Sequence, residues 1–388
     1  MRWLMLLILF VVRLAMGFQF QSVASTSTQL IDRFGFSYAD IGTLIGFFLL
    51  PGVFIAIPSG ALTRTVSDKN LLMVGAVAMA IGAWLMGSAS DPTMLYAGRL
   101  VTGVGGAIFN VILTKMVTEW FFEKEIVLAL AIMLTAWPSG IALGLLLHDP
   151  VASAYGWGTV MYVTGAAALA ALALTALFYR APPSPLDLPD EPLRYGLPGR
   201  ELVHTSVVGI GWSLYNAAFI LVVSFAPDML AAAGYTRSAA SSVTSLFMWT
   251  TLFSVPFGGR LLQSTRQVTP ALLACLLGMS AILLVAISGF WPEVSFVLLG
   301  IVAGIPAGAL MSLSAQAVRR ENRGPGLGIF YTWYYLGMTL VPPLAGALRD
   351  ATGRASSPVL LAALLMAIVA ACVLLLRALQ ARWPIVAR

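Results

Sequence analysis

The residues able to do chemistry in this chain are few, and their signs are lopsided. Arg13, Arg99 and Lys115 lie within long apolar runs, whereas none of the sixteen acids falls at the centre of one. A guanidinium in such a setting can hold an oxyanion through paired, charge-assisted N–H donors. It can equally donate to helix-end carbonyls and hold a bundle together, and for Arg13 both roles stand open. Wound at about 100° per residue, Arg13, Gly17, Gln21, Ala24, Ser25 and Thr28 share an arc of about 120°. Leu6, Leu9, Phe10 and Phe20 fill much of the remaining surface. Arg99 is expected to cap carbonyls of adjacent helices or to reach outward, and Lys115 to snorkel toward headgroups. Asp40, Glu201 and Asp228 fall near the ends of runs, where water is expected to reach them. His204, a few residues into a run, either titrates near neutral pH or is simply solvated. His148, beside Asp149, reads as a loop residue with no role.

Several chemistries find no support. Cys275 and Cys372 both sit in apolar segments, which argues against a disulfide framework. Two histidines far apart and no Cys/His cluster leave no metal site, and no cofactor is expected. Gly103-Val104-Gly105-Gly106 lacks a preceding strand and no G-x-x-x-x-G-K-S/T occurs, so nucleotide binding is not indicated. The net charge of +6 is scattered among apolar runs, unlike the basic stripe that nucleic acid requires. A polytopic enzyme acting on lipid is a remote alternative, because no His/Asp couple or aspartate-rich loop has suitable spacing.

The elements that carry these residues follow from composition. The chain has 388 residues, 59% hydrophobic and 10% charged, with a mean hydropathy of +0.91. Soluble domains carry about 25% charged residues, so the bilayer is the solvent that suits this chain. A ruler of about 20 apolar residues gives twelve spans near 3–29, 38–62, 70–89, 93–118, 125–147, 157–179, 202–228, 238–262, 269–290, 294–317, 325–348 and 357–377. The expected fold is therefore an all-α integral membrane protein. Cleavage of the first span as a signal peptide is the alternative, with Arg2 ahead of the apolar run and Ala15-Met16-Gly17 as cleavage site. Arg13 interrupts that run and the pattern continues to Leu30, which favours a span. Residues 180–201 are rich in proline and charge and read as an extended linker between residues 1–179 and 202–388.

With the N-terminus in the cytosol, fifteen basic residues lie inside, while Arg33, Arg237, Arg349 and Arg354 lie outside. The positive-inside rule then predicts a multi-pass protein of the cell (inner) membrane with both termini cytosolic. The halves also echo one another. Ile57-Pro58-Ser59-Gly60 in span 2 answers Val255-Pro256-Phe257-Gly258 in span 8, and Gly103 in span 4 answers Gly304 in span 10. A duplicated six-helix unit places a substrate site near midplane between the repeats.

Arg99-Leu100-Val101-Thr102-Gly103-Val104-Gly105 resembles the R-x-x-x-G-x-G element of the major facilitator superfamily. Pro343, Gly346, Asp350 and Gly353 resemble a second frequent pattern of that superfamily, and the resemblance extends over essentially the whole chain. It implies 12 transmembrane helices in two pseudo-symmetric six-helix bundles, with spans 1, 4, 7 and 10 lining a central cavity. Substrate-binding candidates are then Arg13 and Gln21 in span 1, Asn110 in span 4, Tyr215 and Asn216 in span 7, and Ser312 in span 10. Tyr331, Trp333, Tyr334 and Tyr335 would form an aromatic wall in span 11, with Tyr331 and Tyr335 as contacts. Arg99 and His204 are the candidates for coupling or gating. Two departures matter. In the loop after span 2, Arg64 and Ser67 replace the superfamily's Asp and Gly, so a gating pair built on that Asp is not carried over. Trp137-Pro138-Ser139-Gly140 lacks the G-P-x-x-G-G signature of proton-driven drug exporters.

The expected activity is secondary transport of a small organic or inorganic anion by alternating access, not an enzymatic reaction. Proton-driven efflux of drugs is the alternative, but its embedded acid is missing. The expected partners are an anionic solute, protons and the lipid bilayer, with a single chain as the working unit.

Overall fold

In hydrocarbon every backbone N–H and C=O must be satisfied within its own segment, which leaves helices for a chain of this composition. The computed structural model describes residues 1–55, 66–121, 125–182, 196–264 and 267–385. Ten helical segments among them are long and apolar enough to cross a membrane. Two more, Arg237–Ser264 and Arg323–Thr352, have spanning length with more hydroxyl-bearing and aromatic residues. Together they make the twelve spans of a multi-pass membrane protein.

The chain divides into two compact units, Met1–Glu191 and Pro192–Arg388. In the first, span 1 is Arg2–Ser25, followed by a short helix Ser27–Phe34 that Gly35 closes at φ +67°. Span 2 comes in two pieces, Tyr38–Phe47 and Leu50–Ile55, and opens on a capping box in which the Ser37 N–H donates to Asp40 Oδ2 at 2.9 Å. Spans 3 to 6 are Asp68–Gly87, Pro92–Phe121, Ile126–Tyr155 and Trp157–Phe178. In the second unit, spans 7 to 12 are Gly199–Ala232, Arg237–Ser264, Val268–Ile287, Pro292–Gln316, Arg323–Thr352 and Ser357–Arg382.

Most boundaries move by a few residues from the sequence reading; span 1 ends at Ser25, which places Thr28 on the short helix after it, and the shifts in spans 5 and 7 relocate polar residues. Span 5 does not stop at residue 147 but runs through Pro150 to Tyr155, where Gly156 at φ +85° ends it. A proline removes one N–H, and packed neighbours in a membrane bundle tolerate that loss. His148 and Asp149 are therefore helical, and His148 is not a loop residue. Span 7 likewise begins at Gly199 and continues past Pro227 and Asp228 to Ala232. The loop after span 2 that carries Arg64, the repeat at Ile57–Gly60, and linker residues 183–195 lie outside the described residues, as do Lys124, Arg194, Arg266 and Arg388 among the basic residues.

The repeat is visible in how helices pair within each unit. Span 1 packs on spans 4, 5 and 6, span 2 on span 4, and span 3 on spans 4 and 6. Span 7 packs on spans 10, 11 and 12, span 8 on span 10, and span 9 on span 12. Gly103 and Gly304 make equivalent crossings. A Cβ at Gly103 would stand 2.6 Å from the Phe48 carbonyl oxygen of span 2, and one at Gly304 would collide with Ser254 and Val255 of span 8. Lipid supplies no hydrophobic force between helices, so close backbone approach at small residues is what holds such crossings together. Gly103→Val is expected to destabilise the protein by about 1–3 kcal/mol through overpacking, read as a lower unfolding temperature in detergent. Gly278→Ala, where a Cβ meets open space, is expected to leave that temperature unchanged.

Candidate functional site

The polar arc of span 1 is a packing seam. A Cβ at Gly17 would collide with the Trp137 carbonyl and stand 3.3 Å from Gly140 Cα, and a Cβ at Gly144 would reach Gln21 Cβ at 2.8 Å. Gly17 and Gln21 thus face Trp137, Gly140 and Gly144 of span 5, and Arg13 stands one turn before Gly17 on the same arc. Gln21 is fully buried, whereas Arg13 is half-buried. His148 continues the span 5 stripe one turn beyond Gly144. It is 1% exposed, and its ring centroid lies 4.3 Å from that of Phe18.

Arg99 occupies another face of the same unit and is completely buried. Its Nε donates to the Leu44 carbonyl at 2.9 Å, Nη2 to Phe20 at 2.8 Å and Nη1 to Gln19 at 3.4 Å. The guanidinium also lies 4.7 Å from the Phe48 ring centroid and 5.5 Å from that of Phe20. The break in span 2 explains the site locally. The Phe48 N–H turns to the Gly46 carbonyl, and the Leu44 carbonyl accepts from Arg99 instead. One side chain of span 4 thereby ties spans 1 and 2, while Gly105 of the same motif abuts Gly75 and Met79 of span 3.

The carboxylates are committed at span ends, which corrects the expectation that water reaches them all. Asp228 is 5% exposed and pairs with Arg237 and Arg349, both at 2.5 Å. Glu201 is 2% exposed; its Oε2 accepts from Asn322 Nδ2 at 2.8 Å and from the Arg319 N–H at 3.3 Å. Burial of an ion is tolerable when partners and hydrogen bonds replace water, and both sites meet that condition. Lys115 does not reach for headgroups. Its Nζ lies 2.9 Å from Asp68 Oδ1 and 3.5 Å from Glu119 Oε1. His204 is not solvated either; its Nδ1 is 2.6 Å from the Arg200 carbonyl, so that nitrogen carries the proton.

The remaining candidates distribute within their own units. Tyr215 is buried and donates to the Ala303 carbonyl of span 10. Asn216 Nδ2 donates to Trp212 at 2.8 Å, and exposed Ser312 donates to Ala309 at 2.7 Å, each within its own helix. Asn110 is half-buried on span 4. Tyr331 and buried Tyr335 belong to an aromatic cluster in which Tyr334 lies 6.2 Å from Tyr331 and 5.0 Å from Tyr335. Trp212 extends the cluster through Phe330 and Tyr215. Arg13 is the only charged residue in the central turns of any span among the described residues. Sequence reasoning missed His148, although Trp137, Gly140, Gly144 and His148 recur at helical spacing, as Arg13, Gly17 and Gln21 do.

A family model described as Major Facilitator Superfamily matches residues 6–206 and 203–386. The Probable nitrate transporter NarT of Staphylococcus aureus (strain MRSA252) is 28% identical over 149 residues. That stretch covers 38% of this chain and 38% of the relative, so the chain matches about two fifths of that protein's length. A bacterial homologue of the human lysosomal transporter Spinster, in an inward-facing and occupied conformation, superposes with a TM-score of 0.70 at 18% identity over 96% of both chains. The nucleoside transporter NupG superposes with a TM-score of 0.72 at 14% identity, covering 98% of this chain and 100% of its own.

Asp228→Ala would leave Arg237 and the buried Arg349 without their shared carboxylate. The expected cost is about 3–5 kcal/mol, measured as a large fall in unfolding temperature, whereas Asp91→Ala, which removes the acceptor capping the Met94 N–H at the exposed start of span 4, is expected to cost less, about 0.5–2 kcal/mol.

Proposed function

The chain belongs to the major facilitator superfamily, and from that premise we propose that it moves a small inorganic or organic anion by alternating access. It is a transporter rather than an enzyme. The observation that carries the anion reading is the charge inventory of the spans. Among the described residues Arg13 alone is charged at mid-span, while Asp68, Glu119, Glu201 and Asp228 are held by cations or amides near helix ends. A half-buried guanidinium attracts a solute of the opposite sign and presents a donor fork suited to planar oxyanions. The partial similarity to a probable nitrate transporter points to the same class, with nitrate as the first probe.

In this reading Arg13 is the anion ligand and Gln21 positions the seam beside it. Tyr215, Asn216, Ser312, Asn110, Tyr331 and Tyr335 are the contributions of the other spans. Arg99 and His204 act in gating, because each fastens helix backbone within its own unit. The protein works as a single chain in the cell (inner) membrane with both termini in the cytosol.

Binding to the folded state alone raises the unfolding temperature with ligand concentration. Nitrate is expected to produce that shift, and Arg13→Ala to abolish it and lower nitrate counterflow into proteoliposomes at least tenfold at equal protein incorporation. Stabilisation by cationic or neutral compounds alone, or unchanged counterflow in Arg13→Ala, would overturn the reading.

A further inference from the structure

His148 is a buried ionisable group that anion transport by itself leaves unused. Neither ring nitrogen has a hydrogen-bond partner among the described residues, although the side chain is 1% exposed. A neutral imidazole carries one N–H and one lone pair, and proteins rarely bury both without a partner. The ring lies in the seam between spans 1 and 5, against Phe18 and one turn from Gly144, which itself abuts Gln21.

The charged groups around this seam are few. Span 1 carries Arg13 and, at its far end, Arg2 paired with Glu125. Span 4 carries Arg99, spent on carbonyls, and Lys115 paired with Asp68 and Glu119. Span 6 carries no charged residue. Asp149 follows His148 and is also buried. The chain's other histidine, His204, has its Nδ1 proton committed to the Arg200 carbonyl.

We propose that His148 is a proton-binding site through which this transporter couples anion movement to protons. The inference rests on the anion reading for the identity of the co-transported charge. A proton from water on one side adds to the lone pair of the imidazole, giving an imidazolium; no other bond forms or breaks. That cation shares the seam with Arg13, which stands two turns, about 12 Å, below Gln21 along span 1. An anion held at Arg13 offsets the repulsion between the two cations, so each ligand favours the other, and the effect is reciprocal. The proton returns to water on the opposite side as the anion leaves. The glycines at positions 17, 140 and 144 keep the seam free of interlocking side chains, so it can loosen and admit water to the ring.

The test separates exchange from net movement. In proteoliposomes, nitrate counterflow needs no net proton transfer, whereas nitrate accumulation driven by an inward pH gradient does. His148→Gln and His148→Phe are each expected to keep counterflow within about twofold and to lose pH-driven accumulation at least tenfold. Wild-type accumulation in either variant would overturn the proposal; Phe retains ring packing, so a merely structural role predicts its rescue. Should both variants fail to fold, the wild-type protein labelled with 15N-histidine decides. With His204→Gln as the assignment reference, the His148 ring signals are expected to pass from neutral to protonated as the pH is lowered, and at a higher pH with nitrate present than without it. Ring signals that stay neutral at every pH at which the protein remains folded overturn the proposal. Absence of wild-type nitrate counterflow would overturn the anion reading instead, and the signals recorded without nitrate would still decide the proton site.

Discussion

Span 1 meets span 5 backbone to backbone because Gly17 and Gly140 face one another, and a side chain at either position would have nowhere to go. The rest of the architecture depends on contacts of this kind. Lipid is as apolar as leucine, so helices gain nothing from hiding apolar surface from it and associate through close packing and polar contacts. Gly82 against Gly98, Gly75 against Gly105, Gly103 against span 2 and Gly304 against span 8 repeat the device at other crossings. Where polar contacts occur inside a unit, many are donations to a neighbouring backbone carbonyl, as from Gln19 to Met79 or Ser254 to Gly300.

The ion pairs follow a complementary rule. They stand toward the ends of spans, where long side chains can gather several donors around one carboxylate. Lys115 joins Asp68 of span 3 to span 4, and Asp228 joins span 7 to spans 8 and 11 through Arg237 and Arg349. Arg99 achieves the same cross-linking without an acid, using carbonyls that already belong to helices. At Gln19 and Phe20 the second lone pair of the carbonyl oxygen lets it accept from the arginine and from its own helix together, while the Leu44 carbonyl is freed by the break in span 2.

Much of this was legible in the sequence. Length and hydropathy located the spans, because a twenty-residue apolar run has little else to do. The R-x-x-x-G-x-G element fell on span 4, and Arg99 caps neighbouring carbonyls, one of the two roles its position allowed. The polar arc of span 1 was also visible, but a helical wheel cannot say which neighbour an arc faces. Small and polar residues serve equally to line water and to let another helix approach, and in the structure Gly17 and Gln21 do the second. The errors over His148 and Asp228 share one cause. Spans 5 and 7 were expected to end at residues 147 and 228, beside Pro150 and Pro227, yet proline punctuates soluble helices more strictly than membrane helices, whose neighbours re-satisfy the freed carbonyl. Both spans run on past their prolines, which carries His148 and Asp228 into protein. Glu201, in the first turn of span 7, is buried instead by tertiary partners, Asn322 and the Arg319 N–H, that a single run of sequence does not show.

That extension changes what the first unit can do. Glycine crossings hold helices close but interlock few side chains, so they resist displacement along the seam less than a knobs-into-holes interface does. Ion pairs fix the relation of spans at their ends. A unit built this way has firm ends and a compliant middle. On the proposed function, charge placed in the compliant part, as Arg13 is, would experience the largest change in hydration if the seam shifted, and a solute or proton bound there would couple most strongly to the shift. Charge placed at the firm ends, as in the Asp228 cluster, would experience the least. On that proposal, the division between residues that hold the fold and residues that respond to a ligand follows from where each side chain falls between the end of a span and its glycine-lined centre.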